Sequence, residues 1–265
     1  MRIGFIGVGM MGEALLAGVL RGSVAPEDVL VCERRGDRAA ELEQRYGVTV
    51  VEEIVDVAKA STIFLVVKPG DVAGVVRELA PALTADHLLV SLAAGIPIAA
   101  IEQAVPGPVG VIRVMPNTPA LVGAGMAAMS PGAHCTPQQV EAVKELLAST
   151  GHVVQVPESQ QDAVTAVSGS GPAYVFLVLE AMIDAGVSLG LTRDIASELA
   201  VQTVLGAATM ASVTGEHPTL LRERVTSPGG TTAAALAVFE DAGLRAAFAR
   251  AMSAAKERSR TLSQG

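Results

Sequence analysis

Six residues near the start, Gly7-Val8-Gly9-Met10-Met11-Gly12, stand between the apolar run Ile3–Ile6 and the helix-forming stretch Glu13–Arg21. A strand must turn there directly into a helix. Glycine at the first position permits the tight turn. At the second it lets the backbone approach a pyrophosphate, and at the third it lets helix and strand pack closely. The free N–H groups and the dipole at the helix start favour an anion. The hexapeptide alone is weak evidence. Glu33 strengthens it, lying 21 residues past Gly12 behind the second strand, near the spacing at which an acidic residue binds an adenosine ribose. The pattern points to a dinucleotide held by Ile6 and the loop Gly7 to Gly12. A plain strand–helix turn is the alternative.

The nucleotide type is a closer decision. Glu33 would bond a ribose diol and repel a 2′-phosphate, or else pair on the surface with an arginine. Arg34 and Arg35 follow it directly, and a guanidinium fork suits a phosphate. Arg34 is the expected phosphate ligand, which favours NADPH, with NADH as the alternative.

Downstream, strands are expected at Asp28–Cys32, Val48–Val51, Ile63–Val67, Leu88–Leu92, Val109–Val114 and Val153–Val156, with helices at Arg38–Tyr46 and Pro137–Thr150. Continuous apolar strands without alternation, separated by helices, predict a parallel sheet covered on both faces. After Pro157 no strand pattern appears, and helical stretches run across 160–189, 193–214 and 231–260. An α/β domain followed by an all-helical domain is expected, with boundaries 1–157 and 158–265; 265 residues is long enough for two domains.

Residues 199–215 form a helix with no charged face. A surface helix of a monomer keeps a polar face, so this one must be buried nearly all round. That predicts an obligate homo-oligomer, at least a dimer. A central helix of an ordinary bundle is the alternative.

Ligands in such sheets bind beyond the carboxyl ends of the strands. The strand ending at Val67 runs into Lys68-Pro69-Gly70-Asp71, where one of only four lysines could face a phosphate or a ribose. The strand ending at Leu92 runs into Ala93-Ala94-Gly95, small enough for a flat ring to approach the backbone. The next ends in Met115-Pro116-Asn117, whose amide could read a carboxamide or cap a turn. In the helical half, Ser168-Gly169-Ser170-Gly171-Pro172 interrupts an apolar helix, and Ser227-Pro228-Gly229-Gly230-Thr231-Thr232 precedes another. The second cluster would expose consecutive N–H groups and hydroxyls, a pocket for a small carboxylate. Plain N-capping by Thr231 or Thr232 is the alternative.

Several classes are excluded or disfavoured. The net charge of −8, no Trp and two Tyr argue against nucleic-acid binding. Cys32 and Cys135 form no disulfide framework or metal-ligand spacing, and no metal is expected. The uncharged stretches 163–179 and 199–215 fall short of a span, and the N-terminus does not read as a signal peptide, so a soluble, cytoplasmic protein without membrane partners is expected. The four histidines are scattered, and only His217, near the second cluster, is a candidate base.

Together these stretches resemble pyrroline-5-carboxylate reductases. IGFIGVGMMGEAL, FLVVKPGDV, VSLAAGIP, VIRVMPNTPALVGAGM, AVSGSGPAYVFLVLEAMIDAGVSLGL and VTSPGGTTAAALAVFE carry the resemblance, in order from residue 3 to about 240. The last is the specific one. The resemblance implies reduction of the imine of L-1-pyrroline-5-carboxylate to L-proline by NAD(P)H. It implies an N-terminal Rossmann domain and a C-terminal helical domain forming an intertwined homodimer, often assembled into a decamer. It implies that Val67, Lys68, Pro69, Ala93 and Ala94 line the nicotinamide side. Ser227, Gly229, Gly230, Thr231 and Thr232 would hold the small-molecule substrate, with Thr165 nearby. Thr232 would be catalytic, orienting or protonating the ring nitrogen. A β-hydroxyacid dehydrogenase shares the opening motif but needs a lysine on the interdomain helix, and residues 157–192 contain none. A related imine reductase and a non-catalytic dinucleotide sensor are the remaining alternatives.

Overall fold

A computed structural model describes residues 2–22 and 24–262. Eight strands form one sheet: β1 (Ile3–Ile6), β2 (Val29–Cys32), β3 (Thr49–Val50), β4 (Thr62–Leu65), β5 (Leu88–Ser91), β6 (Gly110–Met115), β7 (Gly125–Pro131) and β8 (Gly151–Gln155). Their order is β3-β2-β1-β4-β5-β6-β7-β8. The chain crosses from one side of β1 to the other between β3 and β4, so the carboxyl ends of β1 and β4 open a crevice where ligands bind in such sheets.

Five helices accompany the sheet: α1 (Met10–Arg21), α2 (Gly36–Tyr46), α3 (Pro69–Leu79), α4 (Ile98–Glu102) and α5 (Pro137–Ala148). Two hydrophobic clusters result. Leu15, Leu16 and Val19 of α1, Leu42 of α2 and Leu147 of α5 share one with Phe5 and Phe64, whose rings stack at 5.1 Å. Val72, Val76 and Leu79 of α3 share the other with Ile101 of α4, Ile63 and Leu89. Strands β1, β2, β4 and β5 are buried at every position, which explains their continuous apolar runs.

The expected all-parallel sheet needs one correction. β6 and β7 pair antiparallel, with Met115 opposite Ala128 and Ile112 opposite Pro131. Residues 116–124 are too few for the crossover of about a dozen residues that a parallel return requires. α5 then carries the chain to β8, which pairs parallel with β7.

By contacts the chain divides into two units, residues 1–170 with 255–265, and residues 171–254. The first also holds α6 (Gln161–Val164) and a π-helical turn, Thr165–Gly169. The second contains α7 (Gly171–Ser188), α8 (Arg193–Thr214), α9 (Pro218–Arg224), α10 (Thr231–Asp241) and most of α11 (Leu244–Leu262). The single helix expected over 231–260 is two, because Gly243 turns the chain at φ 70. α7 and α8 pack closely: a Cβ on Gly186 would stand 3.0 Å from the Ala196 Cβ.

Burial of α8 is not found within the chain. Only Ala196 and Ala200 are buried, while Leu205, Met210 and Val213 are exposed, as are Phe176 and Leu177 on α7. The uncharged stretch 163–179 lies inside a longer helical run. Glu158–Ser188 is a continuous 31-residue helical segment, long and apolar enough to cross a membrane by length and composition.

Candidate active site

The glycine loop takes the form its residues require. Gly7 lies at φ +79, a conformation that side chains disfavour. A Cβ on Gly12 would meet the Gly7 carbonyl at 2.9 Å, so the helix can approach only with glycine there. A Cβ on Gly9 would meet nothing within 4 Å; that face is open. Gly9 is also the N-cap of α1, and no side chain caps the helix. An uncapped helix start beside open space suits a pyrophosphate.

Both polar atoms of the Val8 main chain are held by side chains. Its N–H donates to Glu33 Oε2 at 2.9 Å, and its carbonyl accepts from Arg38 Nε at 3.3 Å. Glu33 Oε1 also accepts from the Arg35 main-chain N–H at 3.2 Å. Arg38 in turn donates to Glu13 on α1 and, at 2.7 Å, to Glu41. Glu13 also accepts from Arg45 and from the Tyr46 hydroxyl, each at 2.8 Å. Burial would raise the Glu13 carboxyl; the hydrogen bonds from Arg38 and Tyr46, with the charges of Arg38 and Arg45, outweigh it and hold the group below the usual carboxylate range. These bonds tie α1, α2 and the loop together without a ligand.

A pocket of about 270 Å³ opens beside the loop. Of the expected cofactor residues, Ile6, Gly7, Gly9, Arg34, Val67 and Lys68 line it. Glu33, Arg35, Asp71 and Cys32 line it too. Burial, then the charges of Glu78, Glu33 and Glu53, push the Cys32 thiol up, so it stays protonated. Lys68 is the N-cap of α3, with Pro69 at its first turn. Met10, Met11 and Gly12 form the first turn of α1 beside the pocket, while the Val8 side chain is buried in the core.

A second cavity of about 170 Å³ is lined by Ala94, Gly95, Thr165, Ser170, Arg258 and Ser259, among others. Sequence reasoning pointed to Ala94 and Thr165 but missed Arg258 and Ser259, which arrive on the far end of α11. Ser259 donates to Asp162 Oδ1 at 2.7 Å, and Thr165 donates to the Gln161 carbonyl at 2.9 Å. Ala93 is buried in the core with Ile98 and Ile101. Asn117 spends its amide on the main chain: its oxygen accepts from Met126 N–H at 2.8 Å, and its nitrogen donates to the Ser168 carbonyl at 3.1 Å. Asn117 opens the turn Thr118–Val122, but its side chain makes no capping bond there; the amide instead ties distant main-chain segments together.

In the second unit, Ser227 to Gly230 form the turn before α10, closed by a bond from Gly230 N–H to the Ser227 carbonyl at 3.0 Å. Gly229 sits at φ +67. Gly230 is the N-cap, and neither Thr231 nor Thr232 caps the helix. The capping alternative for these threonines is therefore not what the structure shows, and the first turn keeps its N–H groups and hydroxyls available. His217 is the N-cap of α9, where its Nδ1 accepts from Thr219 N–H at 3.2 Å, an ordinary capping role.

Comparison with known proteins fits this geometry. The family described as pyrroline-5-carboxylate reductase dimerisation matches residues 158–262, and one described as NADP oxidoreductase coenzyme F420-dependent matches residues 2–95. A pyrroline-5-carboxylate reductase of Corynebacterium melassecola is 46% identical over 264 residues, covering 98% of each chain. The solved pyrroline-5-carboxylate reductase of Coxiella burnetii superposes with a TM-score of 0.94 at 36% identity, over 99% of this chain and 98% of that one. The Plasmodium falciparum pyrroline carboxylate reductase, solved with NADP bound, gives 0.89 at 29%, over the same shares. With near-complete coverage at this identity, the chain belongs to the pyrroline-5-carboxylate reductase family.

Proposed function

We propose that this protein reduces the C=N bond of L-1-pyrroline-5-carboxylate to give L-proline, the last step of proline biosynthesis, with NADPH as the preferred reductant and NADH as the alternative. The observation that carries the reading is the combination, in a chain of this family, of a pre-formed open glycine loop and an uncapped Gly-Gly-Thr-Thr helix start.

The nicotinamide supplies the hydride when bound. The chain's own residues bind and orient. Gly9 and the first turn of α1 receive the pyrophosphate, Arg34 the 2′-phosphate, and Lys68, Pro69, Val67, Ala93 and Ala94 form the nicotinamide side. Asn117 acts from behind, fixing the main chain at Ser168. The turn at Ser227, Gly229 and Gly230, with Thr231, receives the imine's carboxylate through N–H groups and hydroxyls. Thr232 hydrogen-bonds the ring nitrogen, and Thr165 is a further candidate substrate ligand. A cyclic imine is basic enough to arrive protonated, and an iminium accepts hydride without a strong protein acid. Positioning then supplies most of the rate, consistent with a site lacking an obligatory histidine.

Residues 1–157 are assigned to the nucleotide and 158–265 to substrate and dimerisation. The exposed apolar residues of α7 and α8 support a homodimer; assembly into a decamer, and a cytoplasmic location, complete the proposal.

The test is oxidation of NADPH and NADH, side by side, on adding pyrroline-5-carboxylate to the pure protein. Oxidation with proline as product is expected, faster with NADPH. No oxidation by a protein that binds dinucleotide would overturn the reductase reading in favour of a sensor or another imine.

A further inference from the structure

Five charged side chains line the nucleotide pocket: Glu33, Arg34, Arg35, Lys68 and Asp71. Glu33 is committed to the Val8 N–H and to Arg35. Lys68 has no carboxylate within ion-pairing distance among the described residues. Arg34 does: its Nη1 lies 3.6 Å from Asp71 Oδ1. The two residues come from different elements, Arg34 from the loop behind β2 and Asp71 from the first turn of α3.

We propose that Asp71 is a specificity-determining residue, weakening the preference for a 2′-phosphorylated nucleotide by engaging Arg34. The inference rests on the nucleotide-binding reading above. A phosphate monoester is recognised by a guanidinium fork and carries nearly two negative charges at neutral pH. Asp71 occupies part of that fork, so an incoming phosphate must displace it from Arg34. A ribose with a free 2′-hydroxyl does not call on Arg34 and does not compete with Asp71. The aspartate therefore acts selectively against the phosphorylated form. Both partners are substantially exposed, so water and salt screen the pair and the effect is modest. Asp71 also suits the N-terminal end of α3 electrostatically. A role confined to the helix would change stability and leave nucleotide choice unmoved.

The experiment is calorimetric binding of 2′,5′-ADP and 5′-ADP to the full chain, its D71N and R34Q variants, and the double variant, with melting temperatures as a fold control. The affinity ratio of 2′,5′-ADP to 5′-ADP is expected to rise roughly two- to five-fold in D71N and to stay at the R34Q value when D71N is added to R34Q. The gain in D71N should shrink as salt is raised. An unchanged ratio in D71N, or an equal rise in both backgrounds, would overturn the proposal while leaving nucleotide binding intact. Failure of the unaltered protein to bind either probe would overturn the nucleotide-binding reading, and this inference with it.

Discussion

The Glu33 carboxylate accepts the Val8 main-chain N–H at 2.9 Å, so the acidic residue behind β2 is built into the glycine loop. Arg38 completes the arrangement from the other side of the same residue. The loop is thus pre-organised by charged side chains on neighbouring elements, which reduces the ordering that binding would otherwise require.

Arg38→Ala removes the contact to the Val8 carbonyl and leaves Glu13 with only Arg45 and Tyr46 of its three side-chain partners. It should weaken both phosphorylated and plain nucleotides by about ten-fold. The ratio between them should not move, which separates this variant from Asp71→Asn. Calorimetry with NADP+ and NAD+ is the check, and a loss confined to one nucleotide would contradict the loop-positioning role.

Glu13 predicts an acid dependence. Its folded-state pKa is depressed, so its contribution to stability is fully present above the unfolded-state value of about 4.5 and is lost as pH falls through the lower folded-state value. Glu13→Gln should destabilise the protein by about 2 kcal/mol at pH 7. Melting curves of the two proteins should draw together as pH is lowered below about 4.5. A constant difference across that range would show that the carboxylate charge is not the source.

Thr232→Ala should lower kcat by about 100-fold if the hydroxyl orients or protonates the ring nitrogen. Nucleotide affinity should be retained, and Thr232→Ser should restore most of the rate. Steady-state kinetics paired with nucleotide binding distinguishes this from a folding defect, in which both quantities would fall together.

Leu205 on α8 is 57% exposed in the single chain. A stable protein interface buries at least about 1,000 Å², and the apolar residues of α7 and α8 are the exposed material for one. Leu205→Glu should shift the protein toward the monomer in sedimentation, since an unpaired charge in an interface core is costly. An unchanged assembly would place the interface elsewhere.

Much of the first unit was legible because β1, β2, β4 and β5 are buried at every position and rich in Val, Ile and Leu. β7 was not. Its residues, Gly-Met-Ala-Ala-Met-Ser-Pro, have weak strand preference, and their pairing with β6 is set by tertiary contact. α9 is a short Pro-started helix whose seven residues carry too little periodicity to stand out. The two glycine clusters were visible as candidate sites, since glycine beside Ser and Thr at a helix start has a local meaning. The Arg38–Glu13 pair and the Ser259–Asp162 bond were not, because they join residues 25 and 97 positions apart. Local spacing reports a turn or a cap; it does not report which distant side chain a fold will bring to it.

The Ser259–Asp162 bond has a temporal consequence. The chain leaves its first unit at residue 170 and rejoins it at 255, so the second unit is an insertion whose two ends are both anchored in the first. During synthesis the sheet can form early, but the wall that carries Arg258 and Ser259 can be added only after the whole insertion has emerged. A ribosome-bound chain ending at residue 250 would therefore display a finished glycine loop and an unfinished second cavity. Competence to hold a nucleotide would precede competence for the rest of the site.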